Sequence, residues 1–210
     1  SAVTTADNGT FVGKYAGVAV TTGAANTGLG TNALATATTS TNNVAVGYRA
    51  LSEMRANGDG NVAIGKDAIM GNILDEDVNY LVGIGNACLL GNLESEASGT
   101  VAIGTSALAA LTSGGGNLAI GYKALESQTT GGNNIGIGEL ALGDLNHADA
   151  DENIAIGKYA GHNGSNNLTT GSANTLLGYG TGTSAVGAAN QTVIGNAATG
   201  QADNSVTLGN

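Results

Sequence analysis

The side chains that could do covalent or metal chemistry are few. The chain of 210 residues holds one cysteine, Cys88, and two histidines, His147 and His162. A thiol becomes a nucleophile when a neighbouring base takes its proton. Cys88 stands in "GNACLL", in the slot that other copies of the same motif give to Ala50, Ala68, Ala107 and Ala124, and no His occupies an equivalent slot. It is expected to be a small buried residue in an alanine pocket. His147 and His162 fall in different segments outside the motif and are expected to be loop residues, not a metal pair. Hydrolysis of a glycosidic bond needs two carboxyl groups held across a groove. The acids here are scattered, or clustered as Asp75, Glu76 and Asp77, as Glu94 and Glu96, and as Asp149 and Asp151. Such clusters could hold calcium, but solvated acidic loops are the expectation. The chain is therefore expected to be non-enzymatic, with no metal or cofactor.

The composition restricts the classes further. There are 36 Gly, one Phe, no Pro and no Trp, and charged residues make up only 10% of the chain. Yet 41% of residues are apolar and they recur regularly, which argues for order with a thin core of small side chains. A net charge of −10 argues against binding nucleic acid or an anionic membrane. No apolar run approaches the ~18 residues of a membrane span. A start at Ser1 leads us to expect a processed product or excised fragment.

The dominant signal is an internal repeat. "NNVAVGYRAL" at 42–51 returns as "GNVAIGKDAI", "GTVAIGTSAL", "GNLAIGYKAL" and "NNIGIGELAL". Aligned on the Gly that closes each motif, from Gly13 to Gly209, twelve copies follow one another at steps of 17 to 21 residues, with a final step of 14. Large aliphatic residues one and three before that Gly, such as Val44 and Val46, have the period of two of a short strand. An Asn stands four before it in seven copies, Asn26, Asn43, Asn61, Asn117, Asn134, Asn153 and Asn174, and stacked Asn side chains can bond from copy to copy. The following x-x-Ala-Leu is expected to form a helical turn or corner. Thr pairs such as Thr21–Thr22 and Thr129–Thr130 are expected on the return edge. One unit cannot bury its own apolar side, but stacked units can. The expected fold is all-β: a single domain over 1–210, a parallel β-solenoid or β-roll of about twelve coils, forming a rod of roughly 55 Å at ~4.8 Å per step.

The residue between the two aliphatics is held small: Ala45, Ala63, Gly83, Ala102, Ala119, Gly136 and Ala155. A small residue kept there implies close approach by other backbone. With the aliphatics pointing into the coil, these seven are expected at the interface of a homotrimer, facing its axis.

The recurring N-x-A-I-G-x-x-A-L resembles the distal parts of phage tail fibres and the "SVAIG" motifs in the head domains of trimeric autotransporter adhesins. The last copy, "NSVTLGN", is similar to the stretch of phage fibres that precedes a self-cleaving C-terminal chaperone domain. Those adhesin heads are left-handed parallel β-rolls, and the resemblance implies a trimer, a virion or extracellular location and adhesion to a host surface.

Coils longer than 17 residues carry their extra length after the Ala-Leu corner, and insertions in a solenoid often form its binding side. Candidate receptor-binding residues are accordingly Asp75, Glu76, Asp77, Glu94, Glu96, His147, Asp149, Asp151 and His162. Tyr48, Tyr122 and Tyr179 each follow an anchor Gly and could form a partial aromatic stripe. The expected function is attachment to a cell-surface glycan or protein receptor. A purely structural filament subunit and a glycan-degrading tailspike are the alternatives. A calcium-binding nonapeptide solenoid is excluded because no copy has Asp at the required place. A Thr-ladder ice-binding face is disfavoured by the missing Thr pairs in the middle coils.

Overall fold

A computed structural model describes residues 8–54, 57–71, 73 and 77–209. It contains twelve strands of three residues: β1 (Thr10–Val12), β2 (Thr27–Leu29), β3 (Val44–Val46), β4 (Val62–Ile64), β5 (Val82–Ile84), β6 (Val101–Ile103), β7 (Leu118–Ile120), β8 (Ile135–Ile137), β9 (Ile154–Ile156), β10 (Thr175–Leu177), β11 (Thr192–Ile194) and β12 (Val206–Leu208). They form one parallel sheet in sequence order, so each strand pairs only with its neighbours in the chain. Equivalent residues pair without offset, as in Val44↔Val62, Ala45↔Ala63 and Val46↔Ile64. The chain is an all-β solenoid of about eleven turns.

The anchor glycines stop each strand at three residues. Gly47 has φ 136°, and a Cβ there would lie 2.4 Å from the carbonyl oxygen of Gly65 in the next coil. The x-x-Ala-Leu that follows is a corner, not the helical turn its spacing suggests. Its second and fourth residues are left-handed, as at Arg49 (φ 55°) and Leu51 (φ 50°). A left-handed Leu costs about 1–2 kcal/mol. Complete burial of its side chain, worth about 1.5–3 kcal/mol, offsets that cost. The N–H of Leu51 also donates to Ala68 O at 3.1 Å. A single 3-10 turn, Ser95–Ala97, is the one helical element among the described residues. The Thr pairs lie on a stacked turn, not a strand: Thr21 N–H donates to Thr38 O and Thr112 N–H to Thr129 O.

The sheet faces the opposite way from the sequence expectation. Ala45, Ala63, Gly83, Ala102, Ala119, Gly136 and Ala155 point into the coil's own interior, where each Ala is completely buried. They cannot lie at a trimer axis. The close neighbour that keeps them small is the chain's own corner: a Cβ on Gly83 would lie 2.5 Å from Ile69 Cγ1. Strand centre and corner share one volume. Where the corner residue is Gly17, the strand centre is Phe11, whose ring atom Cδ1 would lie 2.4 Å from a Cβ on that glycine. Leu176, fully buried, likewise faces a glycine corner: a Cβ on Gly161 of the preceding coil would lie 3.3 Å from Leu176 Cδ1.

The Asn ladder ties the coils together as the stacking argument requires. Asn134 Oδ1 accepts from the Asn153 N–H at 2.9 Å, and Asn134 Nδ2 donates to Ala150 O at 2.7 Å, so one side chain holds the next coil at two points. The same pattern joins Asn26, Asn43 and Asn61. It passes from Asn153 to Asn174 and on to Gln191. In two central coils Leu81 and Thr100 take the slot, and the Thr100 hydroxyl is buried without a partner. Asn134→Ala strands the Asn153 N–H and the Ala150 carbonyl in the core. At about 1–3 kcal/mol for each buried unsatisfied group, a loss of roughly 2–6 kcal/mol is expected in urea unfolding. A loss below about 0.5 kcal/mol would show that the ladder does not hold the stack.

Candidate functional site

With the small residues inside, the aliphatic residues of each strand face out. They form two parallel rows across the sheet, one holding Val44, Val62, Val82, Val101, Leu118 and Ile135 and the other their partners two residues on. Ile64 is 38% exposed, Ile156 43% and Leu29 47%. The second row is aliphatic from β1 to β12, whereas the first is aliphatic from β3 to β9 and carries Thr10, Thr27, Thr175 and Thr192 towards the two ends.

A corner row runs along the C-terminal edge of this face, built from the two residues after each anchor Gly. The second residue of each corner donates its N–H to the first residue of the preceding corner, as Arg49 does to Thr31 O and Lys123 to Thr105 O. Tyr48, Tyr122 and Tyr179 stand there, all about half exposed. Basic residues accompany the row: Arg49 lies over the Tyr48 ring at 5.1 Å, Lys123 over Tyr122 at 5.7 Å, and Lys158 over Tyr159 at 4.8 Å. The Y-R, Y-K and K-Y dipeptides after the anchor Gly are the sequence signal of this pairing. Asp67 joins the row with Arg49 at 2.8 Å and Lys66 at 2.6 Å. Burial opposes the Asp67 charge, but the two cations outweigh it and hold its carboxyl below the usual range.

An open cavity of about 410 Å³ lies at the end of this row, lined by Tyr159, His162, Asn163, Gly164, Tyr179, Gly180 and Ala197. Tyr159 stacks on His162 at 6.1 Å and meets Tyr179 edge-on at 6.0 Å. His162 Nδ1 lies 3.0 Å from Asp144 Oδ2, and Asn167 Nδ2 donates to the same oxygen. Aromatic faces beside the Asn163 amide and the His162 imidazole suit a ligand with one apolar side and several hydroxyls. Sequence reasoning singles out His162 and Tyr179 for different reasons. It misses Asp144, Tyr159 and Asn163, because the coil stacking that gathers them spans up to 35 residues.

The other candidate loop residues stay apart. Asp75 and Glu76 lie outside the described residues, and Asp77 is exposed. Glu94 and Glu96 are exposed at the 3-10 turn. Exposed His147 has its Nδ1 3.7 Å from Asp149 Oδ2, while Asp151 Oδ1 accepts from the Gly132 N–H at 2.6 Å and caps its own stack. Among the described residues, no group of three or more His, Cys, Asp or Glu side chains could hold a metal ion, and no helix is long and apolar enough to cross a membrane. No family model, curated protein or solved structure matches the chain.

Cys88 is completely buried in the alanine slot. Burial pushes its thiol up to about 11 from an ordinary 9.0. A raised thiol means that the neutral form is the one the fold accepts. Its contribution to stability is whole below about pH 9 and is lost as pH rises from 9 towards 11, at ~1.4 kcal/mol per pH unit. Urea unfolding of wild type and Cys88→Ala at pH 7 and at about pH 10 should therefore show the gap shifting by roughly 1 kcal/mol in favour of the alanine variant at the higher pH. An unchanged gap contradicts burial of this thiol.

Proposed function

We propose that the chain is the rod of a homotrimeric fibre, carried on a virion tail or a cell surface, which attaches to a receptor without catalysing a reaction. The observation that carries this reading is the uncovered two-row aliphatic face. Twelve strands at ~4.8 Å and three residues of about 3.3 Å give a face of roughly 500 Å², as large as the biggest apolar patch a typical monomer exposes. A face that runs the whole length of a rod is best covered by the same face of further copies lying alongside. The number three comes from the likeness of the repeat to fibre and adhesin heads.

Attachment is assigned to the aromatic cavity around Tyr159 and Tyr179 and to the inserted loops. Three copies present three equivalent weak sites, and their joint engagement raises affinity well above that of one. The Tyr faces would take the apolar side of a sugar ring, and Asn163 and His162 its hydroxyls.

Sedimentation equilibrium tests the assembly. A mass of about 61 kDa, three times the 20.3 kDa chain, is expected. Ile120→Asp with Ile137→Asp, both on the outer face, should yield a folded 20.3 kDa monomer with an unchanged circular-dichroism spectrum. A wild-type monomer overturns the fibre reading. A glycan array then tests attachment: the wild-type trimer should bind a subset of glycans, and Tyr179→Ala should weaken that binding about tenfold or more, the loss of one sugar-stacking contact worth ~1.4 kcal/mol. A trimer that binds no glycan shifts the assignment to a protein receptor or to a purely structural filament.

A further inference from the structure

The aliphatic face has a defect as an interface. Its repeat is nearly uniform, so two copies slid by one coil, about 4.8 Å, still cover eleven of their twelve levels. Copies running in opposite directions also bury it. Apolar burial is non-directional and does little to choose among these arrangements. The residues that can choose stand along the two edges.

The edges carry opposite charge. The corner after each strand holds Lys14, Arg49, Lys66, Lys123 and Lys158, which are all of the Lys and Arg residues among those described, against two acids, Asp67 and Glu139. The corner before each strand, five and six residues ahead of the anchor Gly, holds Asp59, Asp151, Glu152 and Asp203 and no base. This second corner is also a stacked ladder, with the Gly60 N–H donating to Thr41 O and the Tyr80 N–H to Asp59 O. Asp59 Oδ1 accepts from the Thr41 N–H at 2.6 Å, as Asp151 Oδ1 does from Gly132, which fixes both carboxylates at this corner. The charges also keep level. "DGNVAIGK" at 59–66 and "DENIAIGK" at 151–158 each place an Asp seven residues before a Lys, on opposite edges of one coil. Asp7, outside the described residues, stands seven before Lys14 in the same way.

We propose that Asp59 with Lys66, and Asp151 and Glu152 with Lys158, are intermolecular pairs that set neighbouring copies of this chain parallel and level. The proposal rests on the lateral assembly put forward above. In any ring of parallel copies, the leading edge of one meets the trailing edge of the next. Level copies then oppose Asp59 to Lys66 and Asp151 to Lys158 at every interface. One coil out of step, Lys66 meets Thr41 or Asn79 and Lys158 meets Gly132 or Ser172, all neutral. An antiparallel face-to-face pair lays the acidic edge against the acidic edge. Each lysine already has an acid within its own chain, Lys66 with Asp67 at 2.6 Å and Lys158 with Glu139 at 2.8 Å. Those contacts use up two of the row's acids and leave the edge net basic. Each exposed pair contributes little, and their work is selection: slipped copies lose the pairs, and antiparallel copies set like charges together.

The test is a charge-reversal cycle on the full chain, read by the concentration at which the assembly half-dissociates. Lys66→Glu with Lys158→Glu should raise that concentration at least about tenfold in ~50 mM NaCl, and the effect should shrink in ~500 mM NaCl as the charges are screened. Asp59→Asn with Asp151→Asn keeps the Oδ1 acceptor for Thr41 and Gly132, so the coil stack stays closed. Combined with the lysine reversals it should recover part of the lost assembly. Circular dichroism of each variant checks that the fold is kept. Additive effects, or a reversal with no effect on a wild-type assembly that does form, overturn the edge-pairing proposal and leave the aliphatic face standing. A wild type that stays monomeric at every concentration removes both.

Discussion

Each coil rests on the next at the separation of a parallel strand pair, and at the anchor glycines that separation leaves no space for a Cβ. Gly30 carries a φ of 134° with the Gly47 carbonyl where a side chain would begin, and the same contact repeats up the sheet. Once the backbone is stacked this tightly at one point per turn, every other position is locked to its equivalents above and below. Asn can bond to the next Asn, the buried corner Leu can donate to the next corner Ala, and Tyr and Lys fall into lengthwise rows. The fold is thus a one-dimensional lattice. Whatever one coil places on an edge, the stack multiplies or interrupts.

The core is correspondingly thin. Its large members include the corner residues Leu34, Leu51, Ile69, Leu89, Leu108, Leu125 and Leu142, fully buried although their backbone is left-handed. They fill the space that Ala or Gly at the strand centre leaves open. The pairing of sizes inverts at Phe11 with Gly17 and at Leu176 with Gly161. Volume is conserved between a corner and the strand centre packed on it, as close packing demands.

Much of this is legible in the sequence: the period, the short strands, the parallel order, the Asn ladder and the buried Cys88. The orientation of the sheet is not. A period of two says which residues share a face, and it does not say which face is inside. The small residue between Val44 and Val46 does mark close approach, but at equivalent positions such as Gly83 and Gly136 the approaching atoms belong to this chain's own corners, in the same coil and the one before. The compensating sizes at Phe11 and Gly17 are the signal that settles the matter from sequence. The left-handed Leu corner is hidden because Leu favours helices and rarely takes positive φ. The cavity around Tyr159 and Tyr179 is hidden for another reason: its residues come from different coils, and only the stack brings them together.

The outward aliphatic rows connect the fold to the proposed role. A rod stiffened by continuous hydrogen bonding, whose one apolar face calls for company, suits a fibre that must hold shape while loops and aromatic corners meet a surface. The most direct measurement is disulfide trapping in a Cys88→Ser background, comparing Ile120→Cys on the outer face with Ala119→Cys inside the coil. The account predicts covalent dimers through residue 120 under mild oxidation and none through residue 119. Trapping through 119, or through neither position, contradicts it.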